Sequence, residues 1–263
     1  MDFYHKISAK TVGIQYVAIG LALIAIFIGV NAFIYSKEDK VEWIVVLITS
    51  IFGIVGLFVT QSGVKHIRFG GYWEITINAR GITMNSPHEE LDTSYSYPLK
   101  DILATQTLRN PGSSDDYNLI LKTNELVSLE MEAPCQQVID ALVSFGIENI
   151  EHQGIKEKAW EVEINLYSKG VGHLEIDFEC QSNDFILLDI EPDFDPTYQN
   201  QAFEIHYNEQ LVLTLPQEKN NNLNKEYYGI YYGEKPKVGD KIEALIQGKV
   251  VLEKTFTENH LKD

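Results

Sequence analysis

The sequence predicts a membrane-anchored chain with α+β and all-β parts. These are a two-helix transmembrane hairpin, an antiparallel sheet closed by one helix, and then a β-sandwich. Three observations carry this prediction. No charged side chain occurs over residues 11–36, nor over residues 43–64. Apolar residues then recur at every second position in several short runs, the period of half-buried strands. Between those runs Val138, Leu142 and Phe145 recur at helical spacing.

Residues 12–34 and 43–64 are each long enough, as helix, to cross a hydrocarbon layer about 30 Å thick. A spanning segment must satisfy its own backbone hydrogen bonds, which leaves helix as the form for two isolated spans. Tyr16, Tyr35 and Trp43 near the ends suit the headgroup layer. Ala18, Ala22, Gly53 and Gly56 offer small surfaces for close helix contact. The connector, residues 36–42, is too short to hold a domain, so both outer ends lie on one side. Lys6, Lys10, Lys65 and Arg68 flank those ends, against Lys37 and Lys40 in a net acidic connector. By the positive-inside rule the expectation is a multi-pass protein of a bacterial inner membrane with cytoplasmic N- and C-termini. A cleaved signal peptide over residues 1–32, ending at Val30-Asn31-Ala32, is the rival reading. Its apolar run is too long for a typical signal h-region, and a second span follows directly. Gln15 and Asn31 do not ionise, so the first span offers no charge pathway.

Residues 1–64 carry four basic and four acidic side chains, so the net charge of −17 sits on residues 65–263. An acidic exposed part excludes nucleic acid as a partner, because phosphate binding needs a basic surface. The two cysteines, Cys135 and Cys180, are too few for a disulfide framework and lack metal-ligand spacing.

Trp73, Ile75 and Ile77 alternate with Glu74, Thr76 and Asn78 on one strand. Asn78-Ala79-Arg80-Gly81 reads as a turn into a second strand carrying Ile82 and Met84. Residues 110–115 are a loop, and Thr123-Asn124-Glu125 joins strands over 119–122 and 127–131. Pro134 then opens a helix that Gly146 closes. The hairpin, the stretch Trp73-Glu-Ile-Thr-Ile-Asn-Ala-Arg-Gly-Ile-Thr-Met84, then Tyr97-Pro-Leu-Lys-Asp-Ile102, further strands and a closing helix resemble a known family. It is that of bacterial membrane proteins with a pleckstrin-homology-like domain, and the resemblance covers residues 1–150. It implies a domain over 65–150 that acts as a membrane-proximal binding or assembly scaffold, not as an enzyme. Eukaryotic relatives of that family bind phosphoinositide headgroups through clustered Lys and Arg in the first loop. Here that loop offers only Arg80, so headgroup binding does not carry over.

Residues 148–158 are polar and read as a linker. Beyond it Val162, Ile164 and Leu166, then Leu174, Ile176 and Phe178, alternate with acidic or polar residues. Phe203, Ile205 and Tyr207 are followed by Leu211, Leu213 and Leu215, and Ile242, Ala244 and Ile246 by Val250 and Leu252. Turns are expected at Asn208-Glu209 and Gln247-Gly248. About seven short strands without a helix predict a β-sandwich over 156–258, whose last hairpin weakly resembles an immunoglobulin-like module. The glutamates on the outer faces read as solvated surface.

Two constellations stand out. Asp189, Glu191, Asp193 and Asp195 are spaced two apart and supply the oxygen ligands that Ca²⁺ takes, in an external setting only. The plainer reading is a charged strand edge, protected from pairing by Pro192 and Pro196. Tyr227, Tyr228, Tyr231 and Tyr232, preceded by Asn221 and Asn222, have the composition of an adaptable contact surface. The plainer reading there is a tyrosine-rich strand after a polar loop. No nucleophile elbow, phosphate-cradling loop, zinc motif or cofactor signature is present. The expectation is therefore a non-enzymatic binding protein, held to the bilayer by the hairpin, with a basic protein partner and no cofactor. Its most concrete form is an immunity-type protein that neutralises a toxin. An envelope glycan-binding protein or enzyme with an external soluble part is one alternative, and a membrane-complex assembly scaffold is another. The hairpin is compatible with a homo-oligomer.

Overall fold

A computed structural model describes residues 2–37, 43–91, 94–129, 134–155, 160–195, 197–198, 201–215 and 227–261. The chain forms two compact units, Met1–Pro98 and Leu99–Asp263. It is an α+β protein built on several largely antiparallel sheets.

The first unit contains β1 (Phe3–Ser8), α1 (Ala9–Lys37), α2 (Trp43–Phe69), β2 (Tyr72–Asn78), β3 (Gly81–Asn85) and β4 (Tyr95–Pro98). The strands form an antiparallel sheet in the order β1-β2-β3-β4. Trp73, Ile75, Ile77, Ile82 and Met84 are buried on one face, as their alternation predicts. Gly81 has to be glycine because a Cβ there would sit 2.2 Å from the Tyr97 carbonyl oxygen. β1 is not among the strands that the sequence pattern predicts. Its last residue, Ser8, pairs with Tyr72, the first of β2, and the Ala9 N–H donates to the Gly71 carbonyl at 3.1 Å. The two helices therefore leave and rejoin the sheet at neighbouring points.

The helices run antiparallel in close contact through glycines seven residues apart. A Cβ on Gly20 would lie 2.6 Å from the Gly56 carbonyl oxygen, and one on Gly63 would lie 2.6 Å from that of Gly13. Gly56 fills its expected role, but Ala18 and Ala22 point away from α2 and are exposed. A seven-residue repeat returns a side chain to the same face after two turns, which Gly13 and Gly20 satisfy. Further along, Asn31 Nδ2 donates to Thr49 Oγ1 at 2.9 Å across the pair. Among the described residues, α1 over Ala9–Phe33 is the helix long and apolar enough to cross a membrane. That is one candidate span, not the two that residues 12–34 and 43–64 predict, and residues 38–42 of the connector lie outside the described residues.

The second unit opens with a 3₁₀ turn, Leu99–Asp101, followed by β5 (Ile102–Arg109), β6 (Asp116–Leu121), β7 (Glu125–Ser128), α3 (Cys135–Ser144) and β8 (Glu148–Gln153). It continues with β9 (Glu161–Ser168), β10 (Gly172–Glu179), β11 (Ile186–Phe194), β12 (Phe203–Tyr207), β13 (Gln210–Leu215), β14 (Tyr227–Tyr231), β15 (Lys241–Ile246) and β16 (Lys249–Thr255). One sheet has eight strands in the order β8-β5-β6-β7-β14-β11-β10-β9, and a second has four in the order β13-β12-β15-β16. The four-stranded sheet packs on β9, β10, β11 and β14 through one continuous core that includes Ile164, Ile176, Phe178, Leu188, Ile205 and Ile242. This is the sandwich that the period-two pattern predicts.

Three expectations need correction. The larger sheet runs through residue 150 without a break, so the chain does not divide near 64 and 150 as its composition indicates. Residues 148–153 are not linker. They form β8, parallel to β5, with Ala104 opposite Glu148 and Leu108 opposite His152. Polar side chains hide this strand because it lies at the edge of the sheet. Leu211 is 51% exposed, whereas Val212 is buried, because the β12–β13 register shifts at Ile205/His206 and inserts an extra residue. The tight turns follow the sequence. Asn208, Glu209, Gln247 and Gly248 all have positive φ, as two-residue hairpin turns require. Gly146, at φ +89°, ends α3.

Candidate functional site

The site grows from the face of the eight-stranded sheet that the sandwich core leaves uncovered. Side chains alternate across a strand, so each residue between two core positions points to this other face. On β9 these are Glu161, Glu163, Asn165 and Tyr167. On β10 they are His173, Glu175, Asp177 and Glu179, and on β11 Leu187, Asp189, Glu191 and Asp193. Antiparallel register lines them up in rows. Glu163, Asp177 and Asp189 are direct neighbours across three strands, as are Asn165, Glu175 and Glu191. The three strands contain no Lys or Arg.

Like charges held this close raise the cost of ionising the innermost group. Asp177 is pushed up to about 6, first by burial and then by the Glu163, Glu161, Glu175 and Asp189 carboxylates. One carboxylate oxygen from each of Glu163, Glu175 and Asp177 lies within 4.8 Å of the others. Among the described residues this trio, formed across strands, is the group close enough to share a cation. The expected series Asp189, Glu191, Asp193 and Asp195 follows the strand direction instead. At about 3.3 Å per residue, Asp189 and Asp193 leave the backbone about 13 Å apart, too far to share one ion. Asp195 lies beyond β11, and its N–H donates to the Val171 carbonyl at 2.8 Å.

Next to the acidic rows the same sheet curls. The Ile155 N–H donates to the Gln181 carbonyl, Ser182 Oγ donates to the Gln153 carbonyl at 3.0 Å, and His152 Nδ1 meets Asp184 Oδ2 at 3.1 Å. These bonds fasten the end of β8 to the turn between β10 and β11. The curl encloses a small apolar cluster of Ala104, Leu108, Ile120, Phe185, Leu187 and Ile230. Beside that cluster is a cleft of about 230 Å³ lined by Gln106, Leu108, Asp116, Asn118, Leu126, Ser128, Gln181, Phe185, Leu187 and Tyr228.

The polar part of the cleft's lining has an unmet donor. Asn118 Nδ2 donates to Gln106 Oε1 at 3.1 Å, and Gln106 is fully buried. Gln106 Nε2 has no partner among the described residues. Leaving a buried donor unmet costs roughly 1–3 kcal/mol. His152, buried against the Phe185 ring at 5.0 Å, likewise has Nε2 without a partner among the described residues.

The tyrosine constellation is split by its strand. Tyr228 lines the cleft. Tyr227 is 7% exposed in the sandwich core, and Tyr231 packs at the edge of that core, 5.4 Å from the Tyr207 ring. Tyr232 is 58% exposed, and Asn221 and Asn222 lie outside the described residues. Of the two cysteines, Cys135 donates its thiol to the Leu129 carbonyl at 3.0 Å, and Cys180 is buried.

No protein-family model matches this chain, and no curated protein or solved structure matches it either. The functional reading therefore stands on geometry. Sequence reasoning missed Gln106 and Asn118, although a Gln inside Ala104-Thr-Gln-Thr-Leu108 is a polar intrusion in a strand. It did register each acidic alternation, but separately. Only the pairing register reveals that the three fall on one face.

Proposed function

We propose that this is a membrane-anchored binding protein that takes up a basic protein partner on the acidic face of β9, β10 and β11. The carrying observation is the side-by-side register of Glu163 with Asp177 and of Glu175 with Glu191, on strands that themselves contain no Lys or Arg. A partner bringing lysine or arginine relieves that repulsion, and the field of the face speeds its approach at low salt. The burial of charge at Asp177 supports the same reading, because a structural role alone gives no reason to keep it there.

For the anchor, the reading is an α1–α2 hairpin lying in the bilayer. Its support is an apolar exterior on both helices, with Ile14, Leu21, Ile28 and Phe33 on α1 and Ile51, Ile54, Leu57 and Phe58 on α2 all exposed. The register of Ser8 with Tyr72 supports a topology in which both outer ends share one side. By the flanking lysines that side is the cytoplasm, and neutralisation of a basic toxin is the concrete form of the function.

Carbonate extraction of membranes tests the anchor, with the chain expected to stay in the pellet. For the partner surface, the full chain in nanodiscs is titrated with a lysine-rich peptide at low and high salt. Binding that weakens with salt and is lost in a Glu163→Lys/Glu191→Lys variant is expected. Equal binding by the wild type and that variant would overturn the reading. A toxin-challenge assay without protection removes the immunity form alone.

A further inference from the structure

We propose that the cleft is the anchor pocket for an extended basic polypeptide that lies along β11. One aromatic or long aliphatic side chain enters at Leu187, and lysine or arginine side chains two, four and six residues away meet Asp189, Glu191 and Asp193. This rests on the reading above and specifies the partner's pattern.

The size of the cleft sets the first condition. At about 230 Å³ it falls below the roughly 300–1,000 Å³ of drug-sized ligand sites and suits a single large side chain. Leu108, Leu126, Phe185 and Leu187 supply the apolar wall for it.

The polar side of the lining sets the second condition. Gln106 Oε1 is engaged by Asn118, so the buried Nε2 asks for an oxygen acceptor. Asp116 on the lining and the acidic rows beside the cleft repel an anionic acceptor. A peptide carbonyl is neutral, and an extended chain carries one next to every side chain.

The third condition is spacing. Leu187, Asp189, Glu191 and Asp193 share one face of one strand, so they step by about 6.6 Å. Alternate side chains of an extended peptide step by the same distance. Asp189 has Asp177 beside it and Glu191 has Glu175, which makes the two positions nearest the cleft the most negative.

The test uses the full chain in nanodiscs and an acetylated, amidated peptide, Phe-Ala-Lys-Ala-Lys-Ala-Lys, followed by fluorescence anisotropy. It should bind about tenfold tighter than a peptide of the same composition with its lysines adjacent, and than one with Ala for Phe. Gln106→Leu should cost the Phe peptide most of that advantage. Ser128→Trp, a change at an exposed rim position that blocks the cleft without touching the core, should do the same. If all three peptides bind alike and all are lost with Glu191→Lys, the acidic-face reading stands and this proposal falls. If Glu191→Lys changes nothing, the acidic-face reading falls with it. N-acetylphenylalaninamide binding as tightly as the peptide assigns the cleft to a small free ligand and overturns the proposal.

Discussion

The two faces of β9, β10 and β11 are made by the same residues of backbone and answer to opposite physics. One face carries Val162, Ile164, Leu166, Leu174, Ile176, Phe178, Leu188 and Ile190, all buried in the sandwich core. The other carries carboxylates in adjacent rows. The first face lowers the free energy of the folded state by removing apolar surface from water. The second raises it, since like charges directly opposite across strands repel. A domain selected for stability alone has no use for the second face, so the contrast separates what holds the fold from what the fold presents.

The sharpest way to break the contrast is to damage the apolar face. Phe178→Ala should destabilise the second unit by about 3–5 kcal/mol, read from denaturant unfolding, because the ring is fully buried between sheets.

A smaller effect of opposite sign is expected on the acidic face. The Asp177 carboxyl, ordinarily near 3.8, sits at about 6 in the folded protein. Between those values the folded protein keeps a proton that the unfolded chain releases, so stability falls as pH rises across that window. The full cost is present above about pH 6. Asp177→Asn should therefore raise stability at pH 7.5 by on the order of 1 kcal/mol after screening by solvent, and flatten the slope from pH 4 to 6. Melting curves over that range check both.

The same proton should be felt in binding. Affinity for the lysine peptide is expected to rise severalfold from pH 5 to 7.5 as Asp177 ionises, with Asp177→Asn losing that rise in the same anisotropy assay. The smallest effect belongs to Glu191→Gln, an exposed position. Its stability should move by less than about 0.5 kcal/mol while peptide binding weakens, which separates presentation from folding.

Much of this fold was legible because local patterns and tertiary packing agree in it. Trp73 to Ile77 and Leu174 to Phe178 alternate and are buried as alternation dictates. Asn208-Glu209 and Gln247-Gly248 form the expected turns, with Asn208 and Gly248 the residues of each pair that tolerate a positive φ. What escaped depends on partners distant in sequence. β1 is held by β2 across both helices, and β8 is a polar strand that only its pairing with β5 defines. The shift at Ile205/His206 moves Leu211 outward, and no one-dimensional pattern records a bulge. The site was half legible for the same reason. Each strand's glutamates were visible, but their convergence, and the meeting of Gln106, Tyr228 and Leu187 around one cleft, required the register and the curl.

The pairing of β1 with β2 also orders events during synthesis. The ribosome releases the first strand before either helix exists, and its hydrogen-bonding partner emerges only after both are complete. Closure of the small sheet is thus a latch that engages after both helices, drawing β1 back to the place where α2 ends. A chain that lost or misplaced one helix would leave that latch open, with an unpaired strand edge for quality-control proteases to grip.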